Sequence, residues 1–181
     1  MNRLFFVILS LFVSGCASSP HSAAAVAVDY VYKLGRGDKV KIAVFGEEQL
    51  TGDFALNGNG EISFPLLGLV KAEGRSVEEL RAEIQDRLGR EYIRNPRVTI
   101  DIANYRSVFV LGEVAQPGEF AYAERLTVYA LVAKAGGFTY RANQKRAYIR
   151  HDGSPGETEY IVSSATAVQP GDTVRIGQRI F

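Results

Sequence analysis

The sequence predicts an α+β fold of two small modules, each pairing a mixed sheet with one helix. Three observations carry that expectation. Apolar residues alternate strictly in short segments, as in Val40, Ile42, Val44 and again in Val98, Ile100, Ile102. A capping box, Ser76-Val77-Glu78-Glu79, precedes a run with helical spacing, and Thr127 precedes a shorter one. Near each end a Gly-Asp turn feeds a strand: Gly37-Asp38-Lys39-Val40-Lys41-Ile42 and Gly171-Asp172-Thr173-Val174-Arg175-Ile176.

Taken in order, the turn at Gly35–Asp38 opens the first strand. Asn57-Gly58-Asn59-Gly60 is a strong turn signal, after which Ile62 and Phe64 begin a short strand and Leu67–Val70 another. The capping box then starts a helix over Val77–Glu91, with Val77, Leu80, Ile84 and Leu88 on one face. Asn95-Pro96 stops it, and the strand around Val98–Ile102 follows. Val108–Leu111 is a continuous apolar run, expected to be a strand buried on both faces. Gln116-Pro117-Gly118 makes a turn, and Phe120 and Tyr122 continue as a strand. Thr127 caps a helix through Val128, Leu131 and Val132 that Gly136-Gly137 closes. Ala147–Arg150 and Tyr160–Val162 flank a polar loop as a hairpin, and the last strand runs from Val174 to Phe181.

The N-terminus is of a different kind. Arg3 leads into the apolar run Leu4–Val13, far short of the roughly 20 residues that a spanning helix needs. Val13-Ser14-Gly15-Cys16 then reads as a lipobox, where a bacterial lipoprotein is acylated at the cysteine and cut before it. An ordinary secretory signal would leave unexplained why the only cysteine stands at that position. Residues 1–15 are therefore expected to be a signal peptide, Cys16 the lipidation site, and residues 16–29 a flexible tether. Ala17 in place of an Asp retention signal favours the outer membrane, by resemblance to enterobacterial-type sorting. Acylation would use the only thiol, so no disulfide is expected. The net charge of +1 excludes the basic excess of a typical nucleic-acid binder and of a polybasic membrane patch, leaving the lipid as the membrane contact.

No constellation suggests an enzyme, a cofactor or a metal. His21 and His151 fall in the tether and a polar loop, giving no support to a Ser/His/Asp triad or a metal cluster. Glu47-Glu48 and Glu78-Glu79 are adjacent carboxylates rather than a pair across a cleft. Gly35-x-Gly37 and Gly58-x-Gly60 lack the third glycine of a dinucleotide loop. Tyr30, Tyr32, Tyr105, Tyr122, Tyr140, Tyr148 and Tyr160 could include sugar-stacking platforms, with half-burial the ordinary outcome at strand positions. Lys39, Lys41, Arg97 and Arg106 are expected to be exposed charges that meet at subunit interfaces or line a ring.

Tyr32-Lys33-Leu34-Gly35-Arg36-Gly37-Asp38, Val44-Phe45-Gly46-Glu47, Gly60–Gly68 and Asn95-Pro96-Arg97-Val98 together resemble the export domain of the polysaccharide biosynthesis/export family. Tyr105-Arg106, Val110–Val114, Pro117-Gly118 and Ala135–Thr139 resemble the start of an SLBB module, a soluble-ligand-binding β-grasp fold. The resemblance implies an export domain over residues 30–103 and an SLBB domain over 104–181. It further implies a non-enzymatic lipoprotein of the outer membrane, facing the periplasm, that passes capsule or exopolysaccharide to the cell surface. The implied partners are copies of itself in a ring, an inner-membrane co-polymerase and the polysaccharide as cargo. Longer relatives continue to a C-terminal amphipathic helix that lines the pore. With none before Phe181, a separate outer-membrane β-barrel is a further expected partner. The alternative is a lipid-anchored SLBB module that binds glycan or scaffolds envelope proteins without transport.

Overall fold

The computed structural model describes residues 31–179; the lipobox, Cys16, His21, Tyr30, Ile180 and Phe181 lie outside the described residues. In the first half, β1 (Lys39–Val44) is the central strand of a three-stranded sheet. It pairs antiparallel with β2 (Gly52–Ala55) on one side and with β5 (Val98–Asn104) on the other. A one-turn 3-10 helix, Glu48–Leu50, lies between β1 and β2. That link is too short for the crossover of a dozen or more residues that a parallel pair requires. β5 also runs opposite to β1, so the expected mixed sheet is absent here and this sheet is antiparallel throughout. β3 (Glu61–Phe64) and β4 (Gly68–Lys71) form a separate hairpin after the Asn-Gly turn.

Helix α1 (Val77–Glu91) occupies the expected span. Its start is locally determined: the Ser76 hydroxyl accepts from Glu79 N at 3.1 Å, while Ser76 N donates to the Glu79 carboxylate at 2.6 Å. Leu80, Ile84 and Leu88 follow on one face and are fully buried in a core with Val40, Ile42, Ile62, Phe64 and Ile100.

The second half is a five-stranded mixed sheet in the order β7-β6-β10-β8-β9. Its strands are β6 (Val108–Gly112), β7 (Gly118–Phe120), β8 (Ala142–Arg150), β9 (Thr158–Ile161) and β10 (Thr173–Gln178). β6 and β10 run parallel at its centre and the outer pairs are antiparallel. Helix α2 (Val128–Lys134) starts at Thr127, whose hydroxyl accepts from Ala130 N. Its Val128, Leu131 and Val132 share a second core with Val108, Val110, Ile149, Val174 and Ile176. One helix held against a mixed sheet is the expected β-grasp arrangement, and the α+β class holds for the whole.

Three local expectations need correction. β6 is buried on one face only: Val108 and Val110 are inside, but Phe109 and Leu111 are each 40% exposed. The sheet has its helix on a single face, so alternate residues of even an apolar strand look outward. β7 ends at Phe120, leaving Tyr122 beyond the strand, and β10 ends at Gln178.

Candidate functional site: a charged joint and its cleft

The two Gly-Asp turns are built alike. The Asp38 carboxylate accepts from Gly35 N, three residues back, at 2.7 Å; Asp172 accepts from Gln169 N at the same distance. In each, the aspartate N–H also donates to that residue's carbonyl, at 3.1 Å. Both carboxylates are shut away from solvent, at 0% and 1% exposure. Burial of charge on this scale demands partners.

Arg106 is the partner that joins the halves. Its N–H donates to Asp38 Oδ1 at 2.7 Å, and its Nη1 donates to Asp38 Oδ2 at 3.1 Å and to the Tyr32 hydroxyl at 2.8 Å. The Tyr32 hydroxyl in turn donates to Asp38 Oδ2 at 2.6 Å. Arg106 Nε lies 3.2 Å from Asp152 Oδ2, near enough for an ion pair but not aligned for a hydrogen bond. Glycine is required on either side of this guanidinium. A Cβ on Gly35 would overlap Arg106 Nη1, and one on Gly171 would come within 2.6 Å of Nε. The sequence expectation of an exposed Arg106 is thus overturned: its side chain is 18% exposed, because two buried turns close over it. Lys39, Lys41 and Arg97 are exposed as expected.

Tyr32, Tyr105 and Tyr122 extend the joint as a ladder of edge-on rings with centroids 5.1 Å apart. Burial, with Glu124 close by, pushes the Tyr105 phenol up to about 12, so it stays protonated and donates to Glu124 at 3.2 Å. The asparagine-to-serine stretch around Arg106 floors a cleft of about 800 Å³, walled by Lys33, Lys39, Glu73, Phe109, Glu119 and Asp152. Charges of both signs and two aromatic residues, Tyr105 and Phe109, line it.

His151 is brought to Asp172, an association the sequence did not suggest. Its Nδ1 is 2.8 Å from Asp172 Oδ1, and Nε2 is 3.2 Å from the Tyr160 hydroxyl. Burial raises the Asp172 carboxyl above its ordinary range, against the opposing effect of bonds from Gln169 and His151. The pair has the outline of a base and its orienting acid, but Nε2 meets a phenol rather than a serine or cysteine nucleophile. Of the adjacent carboxylates, Glu78 pairs with Arg81 and Glu79 caps α1 and binds Lys33, while Glu47 and Glu48 are exposed at the 3-10 turn. Among the described residues no group of three or more His, Cys, Asp or Glu could hold a metal ion. Nor is any described helix long and apolar enough to cross a membrane.

Comparison with known proteins places these features. The model for polysaccharide biosynthesis/export proteins matches residues 26–103, and that for the SLBB domain matches 107–162. The chain belongs to the polysaccharide biosynthesis/export family. It is 30% identical over 154 residues to the exopolysaccharide production protein ExoF of Rhizobium meliloti, covering 78% of this chain and 37% of that one. It is 28% identical to the EPS I polysaccharide export outer membrane protein EpsA of Ralstonia nicotianae, covering 79% and 40%. Polysialic acid transport protein KpsD of Escherichia coli is 27% identical over 122 residues, 66% of this chain and 22% of that one. The chain thus spans about two-fifths, or less, of the length of these curated relatives. In this family member the joint lies where the export domain gives way to the SLBB domain, and Arg106 is the residue just before the SLBB match begins.

Proposed function

We propose that this chain is a periplasm-facing lipoprotein of the outer membrane, anchored through Cys16, that forms part of an export channel for capsule or exopolysaccharide. The supporting observation is the tandem of an export domain and an SLBB domain in one chain, with relatives named for polysaccharide export and transport. Residues 30–103 and 104–181 are the working division of the two domains. The chain acts as a ring of copies, with an inner-membrane co-polymerase delivering polymer from below. A sliding hydrophilic polymer needs a wall of many weak polar contacts. Exposed Lys39, Lys41 and Arg97 and the mixed-charge cleft suit that demand better than a single tight site would.

The test is the distribution of polysaccharide after deletion of the gene. Loss of surface polymer with periplasmic build-up, reversed by the intact gene, is the expected result. Unchanged surface polymer would sink the export reading and leave a lipid-anchored glycan-binding module. Cys16→Ser should separately move the protein from the membrane fraction to the soluble fraction and remove the acyl mass from the intact protein.

A further inference from the structure

Most of the charge that lines the cleft beside Arg106 is already spent. Lys33 is paired with Glu79 at 2.8 Å, Arg36 with Glu73 at 2.9 Å, and Arg106 with Asp38 and Asp152. The other two charged side chains of the lining, Lys39 and Glu119, are exposed and have no ion-pair or hydrogen-bond partner among the described residues. What remains for a ligand is one charge of each sign. Asn104 and Ser107 add a carboxamide and a hydroxyl, each able both to donate and to accept.

The cleft also holds an aromatic ring that no core encloses. Phe109 lies on the outer face of β6, away from the core that Val108 and Val110 enter. The Tyr105 ring is taken up by edge contacts with Tyr32 and Tyr122, whereas Phe109 makes no ring contact among the described residues. Two sheets fix the groups around it. Glu119 stands directly across from Phe109 in the β6–β7 register, and Asn104 directly across from Lys39 in the β1–β5 register. Phe109 N donates to Asp172 O at 2.8 Å, which ties the ring's own backbone to the buried turn. Side chains on paired strands are in place before a ligand arrives, so little backbone freedom remains to be lost on binding.

We propose that this cleft is a subsite for an uncharged pyranose unit of the polymer. The proposal rests on the export reading for the polymer as the source of that unit. A pyranose has an apolar C–H face, which lies against Phe109, and a rim of hydroxyls that both donate and accept. Lys39 donates to that rim, Glu119 accepts from it, and Asn104 and Ser107 do either. A sugar carboxylate would be brought up to Glu119 and Asp152, and a sugar ammonium to Lys39 and Arg36, so a charged unit loses at one wall what it gains at another. One ring face and a few exposed hydrogen bonds bind weakly, which lets a sliding chain move on.

Calorimetric titration of the purified full chain tests this directly, with neutral gluco- and galacto-oligosaccharides set against an oligogalacturonate and a protonated glucosamine oligomer of equal length. At least one neutral sugar should bind, and each charged sugar should bind about fivefold more weakly, the upper effect of one exposed charge pair. Phe109→Ala should weaken the neutral sugar by up to about tenfold, the range of an aromatic contact. Phe109→Trp should retain binding, and because the chain has no tryptophan its emission reports occupancy of this cleft alone. Glu119→Gln should narrow the gap between the acidic and the neutral sugar. A charged sugar bound as tightly as the neutral ones, unchanged binding by Phe109→Ala, or no binding of either neutral sugar at about 10 mM would overturn the subsite. Complementation of the deletion strain separates this outcome from the export reading. Export restored by the wild-type gene alongside a failed titration rejects the subsite alone, whereas unchanged surface polymer on deletion rejects export itself.

Discussion

Removing Asp38 should destabilise the protein more than removing Arg106, although the two side chains form one ion pair. The difference follows from what each truncation strands. Asp38 accepts from four donors: Gly35 N, Arg106 N, the Tyr32 hydroxyl and Arg106 Nη1. In Arg106→Ala three of those donors remain, so the buried carboxylate keeps most of its solvation. The cost should be about 2–3 kcal/mol, below the usual range for a broken buried pair. In Asp38→Ala two backbone N–H groups, one hydroxyl and a guanidinium lose their acceptor together. Each stranded donor costs about 1–3 kcal/mol in isolation, with partial relief by relaxation, so about 4–5 kcal/mol is expected. Urea unfolding of the purified variants at pH 7 gives both values, provided the slopes match that of wild type. The double variant should cost little more than Asp38→Ala, since the stranded guanidinium is gone. Arg106→Ala as costly as Asp38→Ala would refute the reasoning and show that the guanidinium alone sustains the buried charge.

Other perturbations probe the same physics. Gly35→Ala forces a methyl against Arg106 Nη1 and should cost about 1–3 kcal/mol; combined with Arg106→Ala the penalties should be less than additive in a double-variant cycle. Glu79 is held down to about 2, first by Lys33 and then by the Ser76 N–H. Its folded value lies below the unfolded one, so its contribution is complete above about pH 4.5 and is lost as pH falls towards 2. Glu79→Gln should flatten that limb of the urea midpoint measured against pH. Asp172 shifts the other way: burial raises its folded value above the ordinary 3.8. The native state then holds that proton more tightly, so stability from this group declines as pH rises from about 3.8 through the raised value. Asp172→Asn should abolish that decline, and a persisting decline would assign it to another group.

Local determinants made most of the elements legible. The span of α1 could be read because a capping box and a four-residue apolar spacing lie within its own sequence. β1 and β5 were legible from strict alternation, whereas β2, with Phe54 its one large apolar residue, carries too short a pattern to stand out. The run Val108–Leu111 misled because composition cannot say whether one face of a sheet or both are covered. The joint was legible only in fragments. Gly35, Asp38 and Gly171 registered as turn residues, but the reason for them is Arg106, which sits 68 residues from Asp38. Nothing near Arg106 in the chain distinguishes it from a surface arginine. His151 and Asp172 met for the same reason, through the pairing of β8 with β10.

The buried carboxylate of Asp38 divides its four donors evenly across the domain boundary: Gly35 N and the Tyr32 hydroxyl come from the first half, while Arg106 supplies its backbone N–H and its Nη1. A fragment cut just before residue 106 would carry that charge with two donors in place of four. Any excised export domain made for study should therefore extend past residue 106, or its stability will report the cut rather than the domain.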